Sequence, residues 1–589
     1  MDPIASLKRN TEELLHLFDG RVQKIRNREA FSLLVRRLDE SKAKRTLAKL
    51  LGEGEFVAVG IDGSMDQVES LEMLLFYVNA IGYRCAFTVS NGEVNFDMRH
   101  VVRDSKLGST SAVPLWLEDC STVAGQEGPR ESEVEHMAAL MNISFSLMLM
   151  AELTSAMKAF ENRGLKLLFL DRPLSGSYHT LARDVRNLLL KGSTPLSKIY
   201  PGDIRRDLSM ALSVPFEGAP KATHGPYRVH AAMEMLAEGA TFQQVVEWMG
   251  LDPQGADRLL RALLKRGQMY DILEGDEGHM KVREELGGYR ERLRQLALQV
   301  SDRLFLGTEH PLRVDGEWLT TTELNVVNYV LLGSLVERAR ERGVLLVGLT
   351  KDTNSSDISR SLMELCGVPQ EINPGMRHDR VMLSVVSVTN STICRPPWRS
   401  VGYDSCFSTL TKNDEDVGGT TPKLRAARKV ATREKLFVRF FFQSRASSRT
   451  QYRSPVFLLD RPYDPRYDDG FEEEVEYVEK GRVERMKPYL ELNGVNELDN
   501  AVLYLLSKSD NPEVFEAYGH NMLLYLADKA VKADVKMMRG TLQGLVNLEL
   551  TPLARREKLF SIVRRWRDSR SEMESARSSA STPYDFKPE

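Results

Sequence analysis

Two segments of this chain share one design, an apolar run that ends in an aspartate. The first is Phe56-Val57-Ala58-Val59-Gly60-Ile61 followed by Asp62-Gly63-Ser64. The second is Leu167-Leu168-Phe169-Leu170 followed by Asp171-Arg172-Pro173-Leu174. A buried strand delivers its terminal carboxylate to a sheet edge, where several oxygens can hold a hard divalent cation. Two such ends side by side suit metal-assisted hydrolysis of a phosphodiester. A tight polar turn is expected directly after each aspartate. Oxygen-only ligands favour Mg²⁺ or Mn²⁺, and the sequence has no His/Cys cluster suited to zinc. It also lacks a Gly-x-Ser-x-Gly elbow and a Walker A loop, so neither serine-nucleophile chemistry nor ATP hydrolysis is expected of it. Arg439 lies in an aromatic run with Phe437, Phe440, Phe441 and Phe442. There its guanidinium suits bidentate phosphate binding or pairing with a structural carboxylate.

The elements that must position these residues can be read in outline. The first fifty residues read as helical and mixed in charge. Tyr83–Val89 and Glu93–Met98 flank Asn91-Gly92, a strong two-residue hairpin signal. A long helix follows, from about Glu131 to Arg163, and then the second Asp-tipped strand. Strand, hairpin, helix and strand in that order resemble the opening of a mixed α/β sheet of the ribonuclease H kind. Residues from about 220 to 300 change character. Tyr227–Glu238, Thr241–Met249 and a third, Asp252-capped segment ending near Gly267 read as short helices, with a wing strand near Gln268–Ile272. This pattern fits a winged helix-turn-helix or a small helical protein-interaction insert. Arg258, Arg261, Lys265 and Arg266 on the third helix suit phosphate contact or simple solvation. Beyond residue 300 the strand pattern returns at Val344–Leu349, Val381–Val388, Lys435–Phe442 and Val456–Asp460. Asn413–Lys435 reads as a Gly- and Lys/Arg-rich loop, and Ser571–Glu589 as a disordered tail.

The expected fold class is therefore α/β: a ribonuclease H-like mixed sheet flanked by helices, with a small inserted winged-helix-like domain. The corresponding divisions are 1–50 (N-terminal helices), 51–215 (first part of the core), 216–300 (insertion), 301–550 (second part of the core) and 551–589 (basic helix and tail). At 589 residues, 42% hydrophobic and 28% charged, the chain is ordinary for a globular protein of several domains. Its net charge of -3 requires any nucleic-acid surface to be a local basic patch. Five scattered cysteines without a CxxC pair fit a reducing cytoplasm. Charges at Arg9, Glu12, Glu13 and Arg21 argue against a signal peptide, and Met141–Ala151 reads as too short to span a bilayer. A cytoplasmic protein without membrane contact is expected.

With Asp62-Gly63-Ser64, Asp171 and the Gly348-Leu349-Thr350-Lys351-Asp352 run in view, the chain resembles the NurA family of archaeal and bacterial DNA-end nucleases. The resemblance covers roughly 50–200 and 310–550. It implies a ribonuclease H-like core whose first strand carries the Asp-Gly-Ser motif, with further carboxylates from a helix and from a second acidic strand. Carried onto this chain, it implies Asp62, Glu152, Asp171 and Asp528 as ligands of Mn²⁺ or Mg²⁺, with Glu131, Glu133 and Glu135 as alternatives on the same helix. Lys351 would offset charge on the scissile phosphate. His520, in Gly519-His520-Asn521, stands where the family has a tyrosine and would contact substrate or position water. The second motif departs from the family's Asp-Gly-Ser-Leu, so Arg172 would pair with Asp171 or touch a DNA phosphate. The implied activity is DNA-end processing in recombinational repair, as a homodimer with a hexameric HerA-type ATPase and with Mre11–Rad50. A non-catalytic DNA-binding or scaffold protein of the same fold is the alternative.

Overall fold

The computed structural model describes residues 3–556 apart from 71–72, 126–132, 217–226, 276–279, 308, 405–409, 413–423, 427–435, 448–451, 472–474, 480–481, 487 and 512. The expected tail and most of the Asn413–Lys435 loop lie outside the described residues, although Leu424–Ala426 within that loop is a strand of a small four-stranded sheet. The main architecture is a large mixed sheet flanked by helices. Among the described residues eleven strands form it, and Gly54–Ser70, Leu165–Leu170 and Leu345–Thr350 lie side by side at its centre. These three run parallel, while Phe457–Pro462 and Phe437–Gln443 continue the sheet antiparallel beyond Leu345–Thr350.

Side-chain alternation explains why the central strands are apolar throughout. Leu168 and Leu170 pack with Leu147, Met150 and Leu153 of the Glu133–Ala159 helix on one face. Leu167 and Phe169 pack on the other face with Val502 and Leu505 of Glu497–Lys508 and with Leu523 and Leu524 of Met522–Arg556. The stretch Leu140–Ala159 is longer than the sequence reading allowed, and by length and composition it would suffice to cross a membrane. Here 78% of its apolar window is buried inside the protein, because it is the core helix of that first face.

The tight turn expected after Asp62 is not there. The strand runs on to Ser70, paired along its whole length with Met73–Ser90. Leu74, Phe76 and Val78 of that partner are buried, which holds the pair together well past the aspartate. The Asn91-Gly92 hairpin forms as read, with φ of 51° and 70°, the left-handed pair that a tight two-residue turn needs. The Val381–Val388 strand is instead part of a helix, Asp379–Thr389. Met382, Leu383 and Val386 fall on one helical face and pack with Trp398 and Phe441, so burial overrides the β-branched composition. The first fifty residues are not all helical either, since Val35–Arg37 pairs with Trp398–Ser400 as an edge strand.

Between the two parts of the core, helices Tyr227–Ala237, Phe242–Met249 and Pro253–Tyr270 precede a short hairpin of Leu273–Glu274 and Lys281–Val282. Thr241 and Gln244 form a capping box, Gly250 ends its helix at φ 60°, and Asp252 accepts from the Gly255 amide at 2.7 Å. Their buried residues Ala232, Leu236 and Leu263 belong to the same apolar cluster as the core helix. Helix Tyr289–Phe305 packs directly on Thr321–Glu341 and Ile204–Ser213.

Candidate active site

Parallel pairing of the three strands stops at one level, and the residues just past it carry the chemistry. Ile61 lies opposite Leu170, and the Asp171 amide donates to the Ile61 carbonyl at 3.3 Å. Asp62 and Asp171 therefore stand side by side where parallel pairing stops and the sheet splits. On the next strand Gly348 lies opposite Leu170, which puts Lys351, just past Thr350, beside the same opening.

Alternation assigns Gly60, Asp62, Phe169 and Asp171 to the face covered by Met522–Arg556. A Cβ at Gly60 would stand 2.6 Å from the Leu523 Cβ, so only glycine lets this helix come so close. That approach brings Asp528, further along the same helix, to the aspartates. Gly63 faces the other way. A Cβ there would stand 2.6 Å from Glu152 Oε1, which shows the glutamate carboxylate lying directly on the glycine. Carboxylates from helices on both sides of the sheet thus meet at the split. Asp62, Glu152, Asp171 and Asp528 all line one cavity of about 560 Å³, together with Arg172, Lys351 and His520.

The electrostatics reflect crowding of like charge. Burial raises the Asp62 carboxyl to about 9, aided by the nearby Asp171, Glu152 and Asp528 charges. The Gly63 N–H, which donates to Oδ1 at 2.8 Å, opposes that rise. Burial, with Glu152 and Asp528, also raises Asp171 to about 7, against the opposing pull of Arg172 and Lys351. Glu152 is ion-paired with Arg172 and Asp528 with Lys532. Hydrogen bonding to Asp528 raises the Lys532 pKa in turn. Burial lowers the His520 pKa, so its neutral ring is favoured. His520 Nδ1 lies 2.9 Å from the Asn521 carbonyl, which can only accept, and this leaves Nε2 as the ring's acceptor.

Among the described residues, no three carboxylate, imidazole or thiol groups are close enough to chelate one ion as their side chains are set. The ion pairs give the physical reason: Glu152 and Asp528 are each turned onto a neighbouring cation. The donor set nevertheless fits a hard divalent ion. It consists of oxygen ligands, and a cation would offset the burial and the like charge that raise Asp62 and Asp171. Thr350 Oγ1, in the same cavity wall, is buried with no hydrogen-bond partner among the described residues.

The structure does not bring Arg439 to the cavity, which corrects its reading as a DNA-binding residue. Its guanidinium is buried against Asp460 at 2.8 Å and Asp357 at 3.0 Å, and its remaining donors reach Ser175. Buried charges of this kind require partners, and here each of its three nitrogens has one. Of the alternatives to Glu152, Glu131 and the side chains of Glu133 and Glu135 lie outside the described residues. The sequence reading missed Lys532, although its place four residues after Asp528 on one helix was a usable signal. It also missed an aromatic wall of Tyr452, Phe457, Phe515, Tyr518 and Tyr525, drawn from separate segments with no shared spacing.

The Gly63 contact gives a direct test. Gly63→Ala should fold, because the clashing atoms, Oε1, Cγ and Cδ of Glu152, all belong to one side chain and none to backbone, but it should displace the Glu152 carboxylate from the aspartates. We expect activity to fall by about tenfold or more with the melting temperature nearly unchanged. A fully active Gly63→Ala protein would show that Glu152 is not needed where it stands.

No family model matches the chain, and no curated protein matches it. Among solved structures it is similar to the NurA nuclease from Sulfolobus solfataricus, with 10% identity and a TM-score of 0.36 over 93% of this chain and 98% of that one. It is also similar to a structure of NurA with manganese, at 13% identity and a TM-score of 0.37, over 92% of this chain and 98% of that one. A third is NurA bound to dAMP and manganese, at 13% identity and a TM-score of 0.34, over 93% of this chain and 98% of that one.

Proposed function

We propose that this chain is a divalent-metal-dependent deoxyribonuclease of the NurA type, with residues 216–300 as a winged-helix-like insertion. The observation that carries this is the meeting of Asp62, Glu152, Asp171 and Asp528, from four separate segments, in one cavity beside Lys351. A scaffold has no use for buried carboxylates whose mutual repulsion the fold must bear, which is why the non-catalytic alternative is the weaker reading.

Asp62, Glu152, Asp171 and Asp528 would hold Mg²⁺ or Mn²⁺, the last three helped or hindered by Arg172 and Lys532. When bound, such an ion polarises the phosphate and acidifies a water. Hydrolysis adds the water oxygen to phosphorus and breaks one P–O ester bond. Lys351 places an ammonium where negative charge grows on the phosphate oxygens. The neutral His520 offers Nε2 as a proton acceptor for a water in the cavity. Arg172 has two roles open to it, steadying Glu152 and, once that carboxylate turns away, meeting a phosphate.

Partners follow from the same reading. With no nucleotide-binding loop, the chain would depend on a HerA-type ring ATPase to thread duplex DNA, and would act as a homodimer with Mre11–Rad50 nearby in the pathway. Leu14, Leu15 and Leu17 on the first helix are each more than half exposed and offer apolar docking surface. The test is one assay. Purified protein should degrade linear DNA with Mn²⁺ or Mg²⁺ and stop on adding EDTA. A ring ATPase with ATP should raise the rate on duplex. Undiminished digestion in EDTA would overturn the metal reading. A strict monomer by light scattering that digests duplex fully without ATP would overturn the partner reading.

A further inference from the structure

The cavity has a second character that its carboxylates do not explain. Part of its wall is aromatic, and two of those rings are left in solvent: Tyr452 is 56% exposed and Phe515 is 67% exposed. Packing does not need them there, yet they are not loose. Their rings meet edge-to-face with centroids 5.5 Å apart at 89°. Phe515 also leans on Tyr518, at 6.4 Å and 35°. The Arg445 guanidinium sits 5.8 Å from the Tyr518 ring centre, and Asp510 holds that arginine at 2.9 Å. A braced chain of contacts thus keeps two aromatic faces available beside a phosphate-processing centre.

We propose that Tyr452 and Phe515 form a nucleobase-stacking subsite, which takes one unpaired base while the adjoining phosphate lies at Asp62 and Asp171. This rests on the nuclease reading and goes beyond it by naming the form of the substrate. A phosphodiester alone would call for cations and hydrogen-bond donors, and exposed rings add nothing to its recognition. A nucleotide presents a flat π-face next to the phosphate, and an aromatic ring stacks on that face whatever the base. Inside a duplex both faces of every base are already covered by neighbours. Only a frayed end or a single strand can therefore fill the subsite and present its phosphate together. Stacking is tolerant of base identity, so digestion would be sequence-independent while selecting unpaired nucleotides.

The experiment uses the full chain, Mn²⁺, and two short single-stranded oligodeoxynucleotides, one natural and one abasic throughout. Wild type should show a KM about tenfold higher, or more, for the abasic strand. Phe515→Ala and Tyr452→Ala should raise KM for the natural strand by a similar factor, leave kcat within about twofold, and cause no further loss on the abasic strand. Phe515→Trp should restore the natural-strand KM. Variants with wild-type KM on the natural strand would overturn the subsite. So would variants that weaken natural and abasic strands equally, because that is the mark of a structural effect. If wild type hydrolyses neither strand, the nuclease reading fails. The subsite is then decided by fluorescence anisotropy of the same two strands on wild type and Phe515→Ala, with equal binding of both strands to wild type overturning it.

Discussion

Asp62→Asn is expected to lose two to three orders of magnitude in DNA hydrolysis while the metal-free protein becomes more stable, not less. Both effects come from one carboxylate. Asparagine has the same shape, and its oxygen still accepts from the Gly63 amide that bonds Asp62 Oδ1 at 2.8 Å. It cannot carry the negative charge that a cation requires. At about 1.4 kcal/mol per factor of ten, the expected loss corresponds to roughly 3–4 kcal/mol of transition-state stabilisation. The stability gain follows from the carboxyl being held near 9 by burial and by Asp171, Glu152 and Asp528. In the unfolded chain it ionises freely at neutral pH, so the wild-type fold gives up that ionisation and asparagine has none to give up. Activity is read from initial rates on linear DNA, and stability from thermal unfolding in EDTA. If Asp62→Asn digests DNA at the wild-type rate, the site is wrong. If it melts lower than wild type in EDTA, the crowding argument is wrong.

The second large effect is a pH-dependent stabilisation by metal. Asp62 and Asp171 both have folded values above the unfolded one, about 9 and about 7 against 3.8. For a raised carboxylate, the stabilising contribution is complete below the unfolded value and is lost as pH climbs through the folded value. The metal-free protein should therefore lose stability between about pH 4 and about pH 9, with Asp62 and Asp171 both contributing up to about pH 7 and Asp62 alone above it. A divalent cation binds the ionised carboxylates and displaces protons, so its affinity rises over the same window. At a hundredfold excess over its Kd the ion contributes about 2.7 kcal/mol to folding. Thermal unfolding with and without Mg²⁺ should show a small shift near pH 5.5 and a much larger one near pH 8.5. A shift that is equal at both values, or absent at both, would remove Asp62 and Asp171 from the ion's ligands.

Some of this was written locally in the chain. An apolar run closing on Asp62, and another closing on Asp171, place carboxylates at strand positions from a few adjacent residues alone. The strand before Lys351 and the Asn91-Gly92 turn are legible for the same reason, since neighbouring φ/ψ preferences and alternation decide them. The helix caps at Thr241 and Asp252 are equally local.

What the chain could not disclose depends on partners far away in sequence. The first acidic strand continues past Asp62 because Met73–Ser90 pairs with it, and no residue near Asp62 reports that. Val381–Val388 has the composition of a strand and folds as a helix because Trp398 and Phe441 bury one helical face of it. Arg439 looks like a phosphate binder until Asp357 and Asp460 close around it. Tyr452 and Phe515 become neighbours only when two segments distant in sequence meet at the cavity. The site itself shows the same division. Strand chemistry set Asp62 and Asp171 at their posts, but the missing side chains of Gly60 and Gly63 decided how closely Leu523 and Glu152 could approach. Close packing of helices on both faces of a split sheet, a long-range property, joined one mid-strand aspartate and one strand-end aspartate in a single charged cavity.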